Sequence, residues 1–327
     1  MRKYSEKSEM YDWITASCNI SGTPSQRYVS KIIQISEVKN FFTNTTWANG
    51  YLFNTETGRK MGVSISESRI KLQMCPNKYV LGNNVESAPI GKVERTLQGI
   101  SETLGIEIKN FKLEKVDVTN TALTEFVPEM YFPYLCNKKG SQRWIQNSSL
   151  YYDANSSKIV NVFYDKVKQV NKSGGKSWGG KQKIPANLKG QNLTRFECRL
   201  GTNSEIRKVV GGFGQLHQLF TEEHIFQLHN WWLNQYEAIP KQTEINYKFT
   251  TKMGARNVLK TINNIGKMRL GKLEVENLIE LASKQGAISA SEKTYVKKKV
   301  LEIFDKGKKH TIINELDEKY KIIEPKW

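Results

Sequence analysis

Lys115-Val116-Asp117-Val118-Thr119-Asn120, Val162-Phe163-Tyr164-Asp165-Lys166 and Arg195-Phe196-Glu197-Cys198-Arg199-Leu200 share one design: an ionisable residue set between apolar neighbours. In a strand, successive side chains point to opposite faces of the sheet. Val116 and Val118 therefore face a core while Asp117 points away from it. Phe196, Cys198 and Leu200 face in likewise, leaving Arg195, Glu197 and Arg199 on the other side. Two carboxylates and Tyr164 projecting from one sheet make a candidate site for metal-assisted phosphoryl transfer.

Working outward, the first 85 residues read mostly as strands and turns. Residues 61–66 and 69–74 alternate apolar and polar side chains on either side of Glu67-Ser68, a hairpin signature. Asn49-Gly50 predicts another reversal. Residues 91–104 read as a helix, with Val93, Leu97, Ile100 and Leu104 on one stripe and Gly105 at the C-cap. Short strands are expected over 111–118, 148–152, 158–166 and 194–200, with turn chemistry over 153–157. Thr221 caps a further helix whose stripe, Ile225, Leu228, Trp232, Tyr236 and Ile239, predicts that it covers the sheet. Beyond residue 250 the chain turns helical and charged. Segments 273–284 and 291–304 flank Gln285-Gly286-Ala287, and residues 281–286 loosely match a helix-turn-helix pattern. A helical appendage packed on the main domain is the competing reading.

The chain of 327 residues carries 50 Lys+Arg against 32 Asp+Glu, a net charge of +18. Such an excess favours a polyanionic partner, because each phosphate contact releases condensed counterions. Hydrophobic content of 38% suits a globular protein and excludes a disordered one. Cys18, Cys75, Cys136 and Cys198 form no CxxC pair, which argues against a zinc site and a disulfide framework. No signal-like apolar stretch follows the start, and no run of 18 apolar residues occurs, so a cytoplasmic protein with no membrane partner is expected. From Lys166 to Lys189 there are seven lysines, four glycines and no acidic residue. That composition predicts a mobile loop, and its Lys168, Lys172, Lys176, Lys181 and Lys183, with Arg195 and Arg199, are candidate nucleic-acid contacts.

A phosphodiester attacked by an oxygen nucleophile gathers negative charge on its nonbridging and leaving oxygens. A divalent ion held by Asp117 and Glu197 stabilises that charge, and Mg2+ or Mn2+ suits oxygen ligands better than zinc. Tyrosine ionises near pH 10, so neighbouring cations such as Lys166 are expected to favour the phenolate of Tyr164. The plainer alternative is that Glu197 merely pairs with Arg195 and Arg199. His217, His224, His229 and His310 include no His-x-His pair, so a histidine-based nickase site is not expected.

The run Ser149-Leu150-Tyr151-Tyr152, a turn, Val162-Phe163-Tyr164-Asp165-Lys166 and then Arg195-Phe196-Glu197 resembles the replication initiators of filamentous phages and small rolling-circle plasmids. Those proteins carry a short strand ending in Tyr, a Tyr-Asp-Lys or Tyr-Asn-Lys strand, and Arg-Phe-Glu or Arg-Val-Glu, in that order. Upstream, residues 76–84 (Pro-Asn-Lys-Tyr-Val-Leu-Gly-Asn-Asn) are similar to their Pro-Lys-aromatic-x-x-Gly-x-Asn segment. Lys115-Val116-Asp117-Val118 is similar to their Arg-Ile-Asp strand. The resemblance runs from about residue 70 to 240. It implies a bacterial, plasmid- or phage-encoded enzyme that nicks one strand of partly single-stranded origin DNA. Such an enzyme stays on the 5′ end through tyrosine, leaves a 3′-hydroxyl primer and works with a host helicase or polymerase. Carried over, Tyr164 is the nucleophile, Lys166 its catalytic neighbour, and Asp117 and Glu197 the Mg2+ or Mn2+ ligands. Two departures stand out: Val167-Lys168-Gln169 follows where the family commonly has a Glu, and Asn120 sits where some relatives keep a second acid.

The expected fold is α+β. An antiparallel sheet is partly covered by helices in two ferredoxin-like halves, with Tyr164 and Glu197 in the second. Residues 1–250 would form the nicking domain and 251–327 a helical C-terminal region. The rival functions are a non-catalytic single-stranded nucleic-acid binder, stacking bases on Tyr151, Tyr152, Phe163 and Trp178, and a replication repressor.

Overall fold

The alternating segments become strands of one antiparallel sheet. The computed structural model describes residues 11–20, 48–66, 68–154, 158–172, 184–212, 214–241, 251–266, 272–301 and 312–321. Its strands are β1 (Tyr11–Asn19), β2 (Ala48–Asn54), β3 (Arg59–Ile65), β4 (Arg69–Met74), β5 (Lys112–Thr124), β6 (Ser141–Gln146), β7 (Ser149–Ala154), β8 (Ile159–Asp165) and β9 (Asn192–Leu200). They lie in the order β2-β3-β4-β1-β5-β9-β8-β7-β6, and every neighbouring pair is antiparallel. Two strand groups thus meet along β5 and β9. Tyr164 and Glu197 belong to the second group, and Asp117 to the last strand of the first.

The helices among the described residues are α1 (Pro76–Leu81), α2 (Ile90–Leu104), α3 (Lys166–Lys172), α4 (Asn203–Val210), α5 (Glu222–Glu237), α6 (Ala255–Gly266), α7 (Lys272–Lys284), α8 (Ala290–Leu301) and α9 (Ile312–Lys321). The fold is therefore α+β with a helical C-terminal region. Helix α2 buries the expected stripe and ends at Gly105, whose φ of 68° is the left-handed cap that a side chain would strain. Helix α5 starts at Thr221, which accepts from the His224 amide, and buries Ile225, Leu228, Trp232 and Tyr236.

One sheet face carries the core. Val116, Val118, Phe163, Phe196, Cys198 and Leu200 are buried there as their parity requires. Phe163 and Phe196 stack at 4.3 Å across β8 and β9, and Trp232 donates its indole N–H to the Phe196 carbonyl at 3.2 Å. Helix α9 completes this layer: Leu316 and Tyr320 are buried in the same cluster, and the Tyr320 hydroxyl donates to the Thr194 carbonyl at 3.0 Å. Helices α6 to α8 instead enclose a small core of their own, centred on Val258, Ile262, Leu278, Ala282, Ile288 and Val296.

Three expectations are corrected. Asn49-Gly50 is not a turn but runs extended in β2, opposite Ser64 and Val63. The reversal falls at residues 55–58, where Gly58 takes the positive φ of 67° that Asn-Gly was expected to supply. Residues 76–81, read with the strands, form α1, because Pro76 at the first helical position and Gly82 after the last bracket one and a half turns. Residues 166–172, read as the start of a loop, form α3, whose first turn is capped by Asp165 accepting from the Lys168 amide at 2.9 Å. Lys176, Lys181 and Lys183 lie outside the described residues, as do Trp178 and positions 155–157 of the expected turn.

Candidate active site

The face opposite the main core carries a small apolar cluster of Val85, Val170 and Leu193 and, beside it, a group of ionisable side chains whose layout the register sets. Tyr164 on β8 lies across from Arg195 on β9, Glu197 on β9 lies across from Thr119 on β5, and Arg199 lies across from Asp117. All belong to the parity that avoids Phe196 and Val118, so Asp117, Tyr164 and Glu197 share one face. The Tyr164 hydroxyl donates to Glu197 Oε2 at 2.8 Å. Arg199 Nε donates to Glu197 Oε1 at 2.6 Å and lies 3.9 Å from Asp117 Oδ2, so one guanidinium serves both carboxylates. Lys115 Nζ reaches Asp117 Oδ2 at 3.1 Å. These groups line a pocket of about 570 Å³, with Trp13, Tyr151, Lys168 and Lys172 on its walls.

A second ionic group adjoins the first, with Asp12 on the pocket wall. Arg195 is internal, its side chain 3% exposed, rather than on the rim where a nucleic-acid contact was expected. It donates to Asp12 Oδ1 at 2.9 Å, to Thr121 Oγ1 at 2.7 Å and to the Asn84 carbonyl at 2.7 Å. Asp12 also accepts from Asn84 Nδ2 at 2.9 Å. Burial raises the Asp12 carboxyl, but Lys166 and Arg195 outweigh it and hold the group down at about 2. Lys166 is wholly buried at the start of α3, donates to Gln169 Oε1 at 2.8 Å and is lowered to about 8, first by burial and then by Arg195.

The expected phenolate is not what this environment favours. Burial, followed by the negative charges of Glu197 and Asp12, pushes the Tyr164 hydroxyl well above its ordinary value. A carboxylate in direct contact outweighs the cations, so Tyr164 is a neutral phenol aimed at its proton acceptor. Asn120 is out of reach of this group: it pairs with Phe196 on the opposite parity, toward the core. Of the expected basic contacts, Lys172 and Arg199 line the pocket. Lys168 does too, paired with Glu129 and 3.7 Å from Asp165.

Among the described residues no group of three or more His, Cys, Asp or Glu side chains is placed to hold a metal ion. Asp117 and Glu197 nevertheless fit a hard divalent cation. Asp117 Oδ1 is buried with no hydrogen-bond partner among the described residues, and its carboxyl is pushed up to about 7, first by burial and then by Glu197. A cation between the two acids would relieve both effects. Mg2+ commonly takes only one or two protein carboxylates, with water and substrate phosphate as its other ligands.

Asp12 and Trp13 were not singled out from the sequence, and Asn84 entered only as the last residue of the 76–84 segment, without a role. Asp12 is the extra residue of a β-bulge: Tyr11 pairs with Val118 and Trp13 with Asp117, leaving Asp12 without an opposite number. Bulges re-aim side chains, and no alternation pattern reveals one. Of the expected stacking residues, Tyr151 is on the pocket face, whereas Tyr152 and Phe163 are buried on the other. In comparisons with known proteins, the chain matches no family model and no curated protein.

Proposed function

We propose that this protein is a rolling-circle replication initiator, nicking and rejoining one strand of origin DNA through a phosphotyrosyl intermediate. The observation that carries the reading is the 2.8 Å hydrogen bond from the Tyr164 hydroxyl to Glu197, in a pocket that also holds Asp117 and is rimmed by lysine and arginine. The net charge of +18 suits a polyanionic substrate.

In this mechanism the scissile phosphate enters the pocket over Tyr164. As the Tyr164 oxygen bonds to phosphorus, the phenol proton passes to Glu197 Oε2, the acceptor already in contact. The P–O3′ bond breaks, and the 3′ oxygen leaves and takes a proton from water in the open pocket. One phosphodiester is exchanged for another, so its energy is kept for rejoining. Asp117 and Glu197 are the residues that would hold a divalent cation, Mg2+ or Mn2+, which supplies charge stabilisation at the phosphate oxygens. Arg199 contacts both acids and Lys115 contacts Asp117, which offsets part of the repulsion between them. Lys166 and Arg195 hold positive charge under the phenol as its proton leaves.

The test is covalent capture. Protein, divalent metal and single-stranded oligonucleotides spanning the replicon's origin are incubated, and peptides are searched by mass spectrometry for a nucleotide on Tyr164. The expected result is an adduct at Tyr164 that Tyr164→Phe abolishes while oligonucleotide binding persists. Undiminished cleavage by Tyr164→Phe would remove Tyr164 from the role.

A further inference from the structure

On the pocket face, one row of side chains runs across the sheet from its edge: Trp144 on β6, Tyr151 on β7, Val162 on β8 and Glu197 on β9. The Trp144 and Tyr151 rings are stacked, 5.2 Å between centroids and 8° from parallel. Both are only partly buried. Tyr151 lines the pocket and Trp144 does not. Trp144 therefore backs the Tyr151 ring from the edge side and leaves its other face turned along the row, toward Val162 and the carboxylates. The β6–β7 turn beside it is tight, with Asn147 and Ser148 both at positive φ (49° and 62°), and both residues line the same pocket.

Neighbouring strands lie roughly 5 Å apart. Tyr151 is therefore one strand from Tyr164 and two from Glu197, a spacing comparable to one nucleotide of extended single strand. A flat ring already fixed by a second ring costs little to order when another flat ring lands on it. The flanking polar turn offers backbone and side-chain groups to the edge of such a ligand.

We infer that Tyr151, backed by Trp144, is a stacking subsite for one unpaired nucleobase next to the phosphate held over Tyr164. This rests on the single-stranded DNA reading of the same pocket and adds the group that recognises a base rather than the backbone. Val162 and the stacked pair form the apolar wall of the subsite, and Lys172 on α3, which also lines the pocket, is the cation available to the backbone.

The experiment uses full-length Tyr164→Phe, which cannot form the covalent bond, so binding is read apart from cleavage. Fluorescence anisotropy measures its affinity for a labelled oligodeoxythymidylate of about 12 nucleotides and for versions carrying a single abasic residue at each position in turn. Adding Tyr151→Ala should weaken binding of the intact strand roughly 5- to 150-fold, the range for loss of one base–aromatic stack. Tyr151→Phe and Tyr151→Trp should bind as the parent does. An abasic residue that weakens the parent should leave Tyr151→Ala unaffected, since both remove the same contact. Equal losses for Ala and Phe, or an abasic effect that persists in Tyr151→Ala, would overturn the subsite. Melting temperatures of all variants separate loss of stacking from loss of fold. If the wild-type protein forms no phosphotyrosyl adduct yet the Tyr151 pattern appears, the nicking reading fails and the subsite stands.

Discussion

Asp12 joins stability to the site at the level of a single charge. Its carboxyl is held at about 2 in the fold, against about 3.9 for a free aspartate. A depressed acid stabilises the folded state fully above its unfolded value and loses that contribution as pH falls through the folded one. The window is therefore about pH 4 down to about pH 2, and the shift corresponds to about 2–3 kcal/mol. Asp12→Asn should lower the unfolding free energy at pH 7 by at least that much, because it also leaves Arg195 buried without its anion. Urea melts across pH should show the difference from wild type shrinking below about pH 4. A difference independent of pH would mean that shape, not charge, is what Asp12 supplies. Asp12 could not be found from sequence, since it stands out only once the bulge lifts it from the register between Tyr11 and Trp13. Asp117, Tyr164 and Glu197 were legible because each sits in a regular stretch where parity alone sorts core from pocket.

Helix α9 shows what element-scale patterns conceal. Its sequence, Ile312 to Lys321, is mostly charged and polar, yet Leu316 is buried in the main core and Tyr320 packs on Phe163, Phe196, Trp232 and Tyr236. Among the residues of described burial, Leu316 and Tyr320 stand four apart, and the inner face they mark declares itself only against the surface they meet. Tyr320→Ala should cost about 3–5 kcal/mol, as loss of a fully buried aromatic does, and chemical denaturation would measure it. Helix α5 was legible for the opposite reason, having a cap and four buried anchors at helical spacing. The Asn49-Gly50 error has a tertiary cause. Pairing with β3 on an extended backbone outweighs the local turn preference, and Gly58 is placed to make the reversal.

For the molecule as a whole, charge and connectivity make further predictions. On the proposed reading, affinity for single-stranded DNA should fall steeply with salt. Lys172→Gln should reduce the slope of log affinity against log salt by about 0.7 if that lysine meets a phosphate, as titrations at several salt concentrations would show. The separate core of α6 to α8 predicts that Leu278→Asp unfolds those helices while the sheet's amides stay protected, a pattern hydrogen exchange would resolve. The order of strands across the sheet also has a bearing on when the protein becomes active. β1 lies between β4 and β5, and β5 meets β9 only after the long excursion through β6, β7 and β8. A chain still emerging from the ribosome therefore holds Asp12 and Asp117 long before Tyr164 and Glu197 exist to join them. On the nicking reading proposed above, products of early termination would lack both the nucleophile and the lysines that follow it, so an unfinished copy could not cut DNA.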